Sequence, residues 1–249
     1  MALLTRAPRA SSTLPDHHKS MSVVEHLEDL RRALIISVAG WAVATAVAFV
    51  FWQRLFELLL IHAGLQKSGV VFLAPTGAFM LGFKIALYLG MVLAAPVIFW
   101  QLWWFVSPGL RQHEKRLVLP LIGATSFFFL TGVGFAIFAL PLMMRVLTGF
   151  APPDLHFLPV GDELLSFVLA LVIAFGLVFE LPVILWTLGM LRIISSRWLY
   201  RNHVYWIVSL GVLANLMTPG ADPITPLIAF APLVLFWEAT ALLLKLTGR

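Results

Sequence analysis

The sequence predicts an all-α integral membrane protein with six transmembrane helices, on the strength of its composition and its apolar runs. The 249-residue chain is 61% hydrophobic and only 12% charged, and its mean hydropathy is +0.96. A soluble domain of this length cannot bury that much apolar surface. Six apolar runs approach or exceed the roughly 20 residues with which a helix crosses a bilayer. They are residues 33–52, 79–106, 117–147, 164–191, 203–217 and 226–244.

The basic residues predict the topology of these spans. Six spans place both termini on one side of the membrane, and 13 of the 17 Lys and Arg residues lie on that side. Because cytoplasmic loops are enriched in Lys and Arg, both termini are expected in the cytoplasm. The links on the opposite side, around 53–78 and 148–163, are longer and rich in Gly, Pro and apolar residues. We expect these links to fold into a cap over the outer ends of the helices.

The N-terminal region contains two further elements. Its first residues lack an apolar core and are rich in Pro, Ser and His, which is typical of a mobile tail. Ser22 and Glu25 have the spacing of a capping box, which predicts a helix start. Apolar residues at positions 23, 27, 30 and 34 form one stripe, so we expect an interfacial helix that turns into the first span near Ala33. The chain is thereby divided into the tail 1–21, the amphipathic helix 22–32 and the six-span bundle 33–249.

The fifth run is shorter than the others. As a helix, residues 204–217 span about 21 Å, whereas the hydrocarbon core of a bilayer is about 30 Å thick. Either the bilayer thins locally around this helix, or neighbouring helices bury it. The sequence favours neither alternative.

The fourth run contains a single carboxylate, Glu180. A charge inside the membrane costs about 2.5–3.5 kcal/mol even on the translocon scale, which indicates a functional site that faces protein or water. Pro182 has no N–H for the carbonyl of Val178, so the helix should bend beside the acid. Gly176 should leave room one turn earlier on the same face. The alternative is a protonated Glu180 that bonds a neighbouring helix and contributes only to packing.

Three more acids are expected near the cytoplasmic surface: Glu28, Asp29 and Glu114. They form an acidic patch on an otherwise basic face, which is suited to a cationic ligand, because carboxylates bind guanidinium groups bidentately. The alternatives are structural. Glu28 and Asp29 have the spacing to pair with Arg32 within the helix, and Glu114 could complement the dipole at the start of the third span.

Enzymatic and metal chemistry have no residues to support them in this sequence. Cysteine is absent, which excludes disulfides and thiolate metal sites. The seven histidines are scattered, and none combines with acids at the spacing of metal ligands. Nucleophile-elbow, Walker-type and H-E-x-x-H motifs are missing. We therefore expect no enzyme activity, no metal and no cofactor.

Four motifs spread along the chain are specific in combination, and in these motifs the chain resembles the TatC family, the core component of the twin-arginine protein translocase. The resemblance implies six spans in a concave bundle with both termini in the cytoplasm. The motifs are H-L-E-D-L-R-R-A-L (26–34), A-P-V-I-F-W-Q-L-W-W-F-V-S-P-G-L-R-Q-H-E-K-R (95–116), S-F-V-L-A-L-V-I-A-F-G-L-V-F-E-L-P-V (166–183) and M-T-P-G-A-D-P-I-T (217–225).

This resemblance also implies a function and partners. It implies a Sec-independent translocase subunit that recognises twin-arginine signal peptides and helps to move folded proteins across the membrane, driven by the proton-motive force. The expected partners are TatA- and TatB-type single-span proteins and further copies of the chain, in a bacterial inner membrane. Two alternatives remain: a proton-coupled small-solute transporter that uses Glu180 as proton carrier, and a membrane scaffold without transport.

The family motifs assign signal-peptide binding to five positions. By the resemblance, Asp29, Arg31 and Glu114 belong to the site that holds the arginines of the signal. The family usually has Glu where this chain has Asp29, and Glu28 beside it is the possible substitute. Phe105 matches an aromatic residue that the family also uses in signal recognition.

Two further regions are assigned by the same resemblance. Glu180, with Pro182, matches a membrane-embedded acid that lines the concave cavity and is implicated in partner contacts. Asp222 matches the acid that follows T-P in the last outer loop.

Overall fold

The computed structural model describes residues 23–65, 69–109, 115–150, 152, 154, 158–218 and 224–248. Within these ranges the regular structure is helical, apart from one isolated β-bridge. This confirms the all-helical class that the sequence predicts. The α-helices are α1 (Val23–Val50), α2 (Trp52–His62), α3 (Gly77–Val106), α4 (Val118–Gly149), α5 (Gly161–Val178), α6 (Leu181–Met190), α7 (Ser196–Arg201), α8 (His203–Met217) and α9 (Thr225–Leu246).

Five helical stretches in the described ranges are long and apolar enough to cross a membrane. They correspond to α1, α3, α4, the α5–α6 pair and α9. Helix α8 is also apolar, but its 15 residues extend only about 22 Å, less than the thickness of a hydrocarbon core. It occupies the fifth apolar run, whose shortness is evident from the sequence.

The N-terminal helix differs from the prediction. Helix α1 continues from Val23 to Val50 without interruption, so the expected turn near Ala33 is absent. No Pro occurs in this stretch and the first Gly is Gly40, so nothing in the backbone ends the helix where the side chains change from charged to apolar. The amphipathic segment is therefore the first part of the helix that forms the first apolar run.

Helix α2 lies within the first predicted outer link and was not predicted as a helix. Its apolar residues repeat at helical spacing and pack on Leu81, Ile85 and Leu165. An ion pair between Arg54 and Glu57, 2.9 Å apart, lies on its exposed side. The packed residues of α2 are Trp52, Leu55, Phe56 and Leu59.

The two long links are joined by their backbones. Val71 donates its N–H to the carbonyl of Pro159 at 3.1 Å, and Gly161 donates to Val71 at 3.1 Å. Lys84 in α3 also pairs with Asp162 in α5 at 2.5 Å. These contacts bring the first turns of α3 and α5 together at one end of the bundle, which we call the α2 end.

The opposite end, which we call the α7 end, contains the start of α1 and the C-terminal ends of α3, α6 and α9. Helices α6 and α9 meet closely here, because a Cβ on Gly189 would lie 2.2 Å from Cδ2 of Leu244. Trp103 near the end of α3 donates to Thr125 of α4 at 3.3 Å. At this end, α6 therefore contacts α9, and α3 contacts α4.

The centre of the bundle is the contact between α4 and α5. A Cβ on Gly132 would lie 2.3 Å from the carbonyl oxygen of Phe175, so only glycine allows the two backbones to approach this closely. An aromatic cluster surrounds the contact: the Phe175 ring lies 5.1 Å from Phe135, and the Phe179 ring lies 4.6 Å from Phe236 of α9. These rings connect three helices in one core.

Substitution of Gly132 by Ala should weaken the fold. The added methyl group would force α4 away from a backbone carbonyl, which we expect to lower the free energy of unfolding by about 1–3 kcal/mol. Denaturant titration in mixed micelles measures this quantity. Gly134→Ala is the matched control, since nothing lies within 4 Å of the position that its methyl group would take. Equal effects at both positions would contradict the close contact.

Candidate functional site

The start of α1 and the end of α3 meet at the α7 end through two stacked rings. The imidazole of His26 and the ring of Phe105 have centroids 4.3 Å apart and an interplanar angle of 13°. Asp29 lies one helical turn after His26 on the same face of α1. The stack therefore places the predicted aromatic residue close to the predicted acidic segment, although the two are far apart in sequence.

The carboxylates of this segment are available to a ligand. Glu28 is exposed and Asp29 is half-buried. Neither acid takes part in an ion pair with a described residue, so the alternative of intrahelical pairing with Arg32 is not realised. Each carboxylate consequently retains its capacity to accept hydrogen bonds from a cation.

A pocket of about 550 Å³ adjoins these acids. It carries both signs of charge, because the acids share it with two arginines, and Ile35 and Ile36 add an apolar part. Such a mixture can bind a segment that contains cations followed by apolar residues. We call it the α1 pocket, and its described lining residues are Glu25, Glu28, Asp29, Arg31, Arg32, Ile35 and Ile36.

Two of the predicted site residues, Glu114 and Asp222, lie outside the described residues. The described chain resumes at Lys115, which begins a 3₁₀ turn that leads into α4. The α7 end thus brings together Glu28, Asp29, Arg31 and Phe105, whereas Glu180 and Pro182 lie deeper in the bundle.

Glu180 lies at an interruption of the fourth apolar run. Helix α5 ends at Val178 and α6 begins at Leu181, with Pro182 in the first turn of α6. The N–H of Glu180 donates to the carbonyl of Leu177 at 3.1 Å, which tightens the last turn of α5. Pro182 therefore accompanies a break between two helices, next to the acid as the sequence suggests.

The side chain of Glu180 is buried in an apolar environment. Only 6% of the residue is exposed, and it is the one buried carboxylate in the described part of the chain. Its carboxylate faces the backbone of Phe129 in α4, yet Oε1 accepts no hydrogen bond from any described residue. A buried oxygen without a donor is costly, and it requires an explanation beyond packing.

The space that Gly176 was expected to provide beside Glu180 is filled. A Cβ on Gly176 would lie 2.6 Å from the ring of Phe129, so the glycine accommodates this ring from α4. The room expected beside the carboxylate is therefore absent, because a neighbouring aromatic side chain occupies it. Gly176 therefore serves the contact between α4 and α5.

Comparison with known proteins identifies the family. The family model for the Sec-independent protein translocase protein (TatC) matches residues 25–232, which is most of the chain. The chain belongs to the TatC family. The relationship covers both the acidic segment of α1 and the interruption at Glu180.

Individual TatC proteins support the same assignment. The Sec-independent protein translocase protein TatC of Carboxydothermus hydrogenoformans is 37% identical over 91% of this chain and 94% of its own length. The TatC protein of Aquifex aeolicus is 36% identical over 92% of this chain and 97% of its own length. A crystal structure of the twin-arginine translocase receptor TatC superposes with a TM-score of 0.77 at 35% identity, covering 90% of this chain and all of that chain.

Membership of TatC settles the class of protein. The family is a component of a protein translocase and not an enzyme, and the apolar helices make this chain an integral membrane protein. Among the described residues, no three His, Asp or Glu side chains cluster as metal ligands would.

Two contacts of this TatC chain escaped the sequence analysis. The sequence pattern presents His26 only as part of the polar face of α1, although its spacing from Asp29 places both on one side of the helix. Tyr200 donates its hydroxyl to Glu238 of α9 at 3.3 Å. Partial burial and the Glu238 carboxylate raise the pKa of Tyr200 above its ordinary value.

The stack of His26 on Phe105 should stabilise the junction of α1 and α3. Ring pairs of this kind contribute about 0.5–1.5 kcal/mol beyond the area they bury. We expect a coupling free energy of about this size from a double-mutant cycle of His26→Ala and Phe105→Ala, measured by denaturant titration in mixed micelles. Strictly additive effects of the two substitutions would contradict the stack.

Proposed function

We propose that this chain is the subunit of a Sec-independent translocase that recognises twin-arginine signal peptides, and that the α1 pocket is the recognition site. The observation that carries this proposal is the presence of two carboxylates without ion-pair partners, Glu28 and Asp29, on the same helix end that Phe105 contacts through His26. This arrangement is complementary to two guanidinium groups followed by an apolar segment.

The distribution of charge supports an orientation with the α7 end in the cytoplasm. Eight of the eleven described Lys and Arg residues lie at the α7 end, and three lie at the α2 end. With α8 counted as the fifth of six spans, the positive-inside rule then assigns both termini to the cytoplasm. The α2 end, with its helix and backbone bridge, would form the cap on the outer side of a concave bundle.

At the α7 end, the carboxylates would give signal binding its specificity for arginine. Bidentate hydrogen bonds favour Arg over Lys, because the guanidinium group offers two parallel donors. Asp29 is the first candidate by motif, and Glu28 has the longer reach. Glu114 would add the second carboxylate, and Arg31 would orient the acids at the pocket wall.

Glu180 would act in contacts with partner helices. Its Oε1 is buried without a donor, so a polar side chain from a TatA- or TatB-type single-span protein would satisfy it. Further copies of the chain would complete the assembly in a bacterial inner membrane. Asp222 would belong to the outer face, and the proton-motive force would drive transport.

The transporter alternative receives less support. Proton-coupled transport through the bundle needs a relay of ionisable groups, and Glu180 is the single buried ionisable side chain in the described ranges. A receptor requires no such relay, and a static scaffold gives no reason for an unpaired buried carboxylate.

Removal of one carboxylate in the α1 pocket should weaken signal binding. We expect Asp29→Asn to lower the affinity for an R-R signal peptide about five- to tenfold, because hydrogen bonds to charged groups contribute about 1.5–3 kcal/mol before solvent screening. The preference for R-R over K-K should fall with it. Fluorescence anisotropy with the purified chain in nanodiscs measures both affinities.

The same measurement on Glu28→Gln and Glu114→Gln identifies which acids hold the arginines. Glu57→Gln is the matched control, because this carboxylate lies at the α2 end. Wild-type affinity in the three test variants would remove the acids from the recognition site.

Substitution of Glu180 should weaken the association with a TatB-type partner. A hydrogen bond between membrane helices contributes about 1–2 kcal/mol, so Glu180→Ala should reduce co-purification of the partner by about three- to tenfold. Glu163→Ala on the exposed start of α5 is the control. Unchanged co-purification and export in the Glu180 variant would limit this residue to packing.

A further inference from the structure

A second pocket at the α7 end lies where α6 and α9 terminate. Its volume is about 400 Å³, within the range of about 300–1,000 Å³ that is usual for small-ligand sites. It shares no described lining residue with the α1 pocket. We call it the α6–α9 pocket, and its described lining residues are Gly189, Arg192, Ile194, Ser195, Thr247 and Gly248.

Arg192 in this pocket has a backbone conformation that favours glycine. Its φ of +59° is the one positive φ of a non-glycine residue in the described part of the chain. The N–H of Arg192 donates to Gly189 at 3.0 Å, and that of Ile193 donates to Leu188 at 2.9 Å, which together form a Schellman motif. Glycine would make both bonds without strain. The reason for an arginine here therefore lies in its side chain.

The cation that lines the pocket has no carboxylate partner among the described residues. Arg192 is exposed and takes part in none of the ion pairs of the described ranges. The one carboxylate on α7 and α9, Glu238, accepts a hydrogen bond from Tyr200. The rim of the pocket consequently keeps its positive charge.

Complementing the helix dipoles does not account for Arg192. The C-terminal ends of α6 and α9 carry partial negative charge, and nearby cations are favourable there. Lys245 meets this need for α9 from its last turn in ordinary helical conformation, whereas the last turn of α6 contains no basic residue. A cation can therefore neutralise the partial charge at a helix end without the positive φ that Arg192 adopts.

We propose that the α6–α9 pocket binds the phosphate group of an anionic phospholipid, with Arg192 as its principal cation. The pocket lies where two membrane-spanning segments end, the level at which lipid headgroups occur, and basic pockets between such helices bind anionic headgroups. The Ser195 hydroxyl accepts the N–H of Trp198 and keeps its own proton to donate to a phosphate oxygen.

The test compares the full chain in nanodiscs of phosphatidylcholine alone and with phosphatidylglycerol. Native mass spectrometry counts the phosphatidylglycerol molecules that the protein retains. We expect Arg192→Lys to retain them as the wild type does, and Arg192→Gly to lower retention about fivefold or more. Arg145→Gln is the matched control, since Arg145 is an exposed cation at the α2 end.

A second measurement separates lipid binding from a structural role. Because glycine suits the φ of this position, Arg192→Gly should unfold in phosphatidylcholine alone at the same denaturant concentration as the wild type or at a higher one. Wild-type retention in this variant, or its destabilisation in phosphatidylcholine, would overturn the proposal. Displacement of the lipid by millimolar inorganic phosphate would overturn the assignment to a lipid. None of these readouts involves a signal peptide, so failure here leaves the proposed function unaffected.

Discussion

The contact between α4 and α5 at Gly132 and Gly176 determines where the only buried carboxylate of the described chain lies. On one side, Pro182 has no N–H to donate to the preceding turn, so α5 ends before it and α6 begins beside it. On the other side, the backbone carbonyl of Phe175 and the ring of Phe129 leave no room for any residue larger than glycine. The helix break at Pro182 and the contact between α4 and α5 therefore both fix the position of the segment that bears Glu180. Within the described residues, Oε1 of this buried carboxylate has no hydrogen-bond donor.

The α7 end combines two chemically different surfaces. The α1 pocket presents carboxylates and arginines near a stacked aromatic pair, whereas the α6–α9 pocket presents one arginine beside two helix ends. The two pockets share no described lining residue, so the arginine-bearing peptide and the phosphate that we propose as their ligands would not compete for the same side chains.

Elements that depend on local sequence were predictable, and contacts between distant segments were not. The apolar runs and the break beside Pro182 follow from hydrocarbon thickness and a missing donor. Helix α2 was not predicted because the link was interpreted from the Gly and Pro residues in its second half. The apolar repeat that begins at Trp52 precedes those residues. The turn expected near Ala33 was wrong, since a change of polarity does not end a helix. The stack of His26 on Phe105 joins residues 79 positions apart, for which a single sequence carries no local signal.

Helix α1 packs chiefly on α3, and this has a consequence for biosynthesis. The indole of Trp41 donates to the carbonyl of Leu87 at 2.8 Å, and a Cβ on Gly90 would lie 2.7 Å from the Cα of Thr45. When α1 leaves the ribosome, its indole donor has no acceptor in the nascent chain, and its small-residue face has no neighbour. Both are supplied only after α3 has been synthesised. The α1–α3 pair, connected through α2, is thus the earliest unit in which both contacts can form.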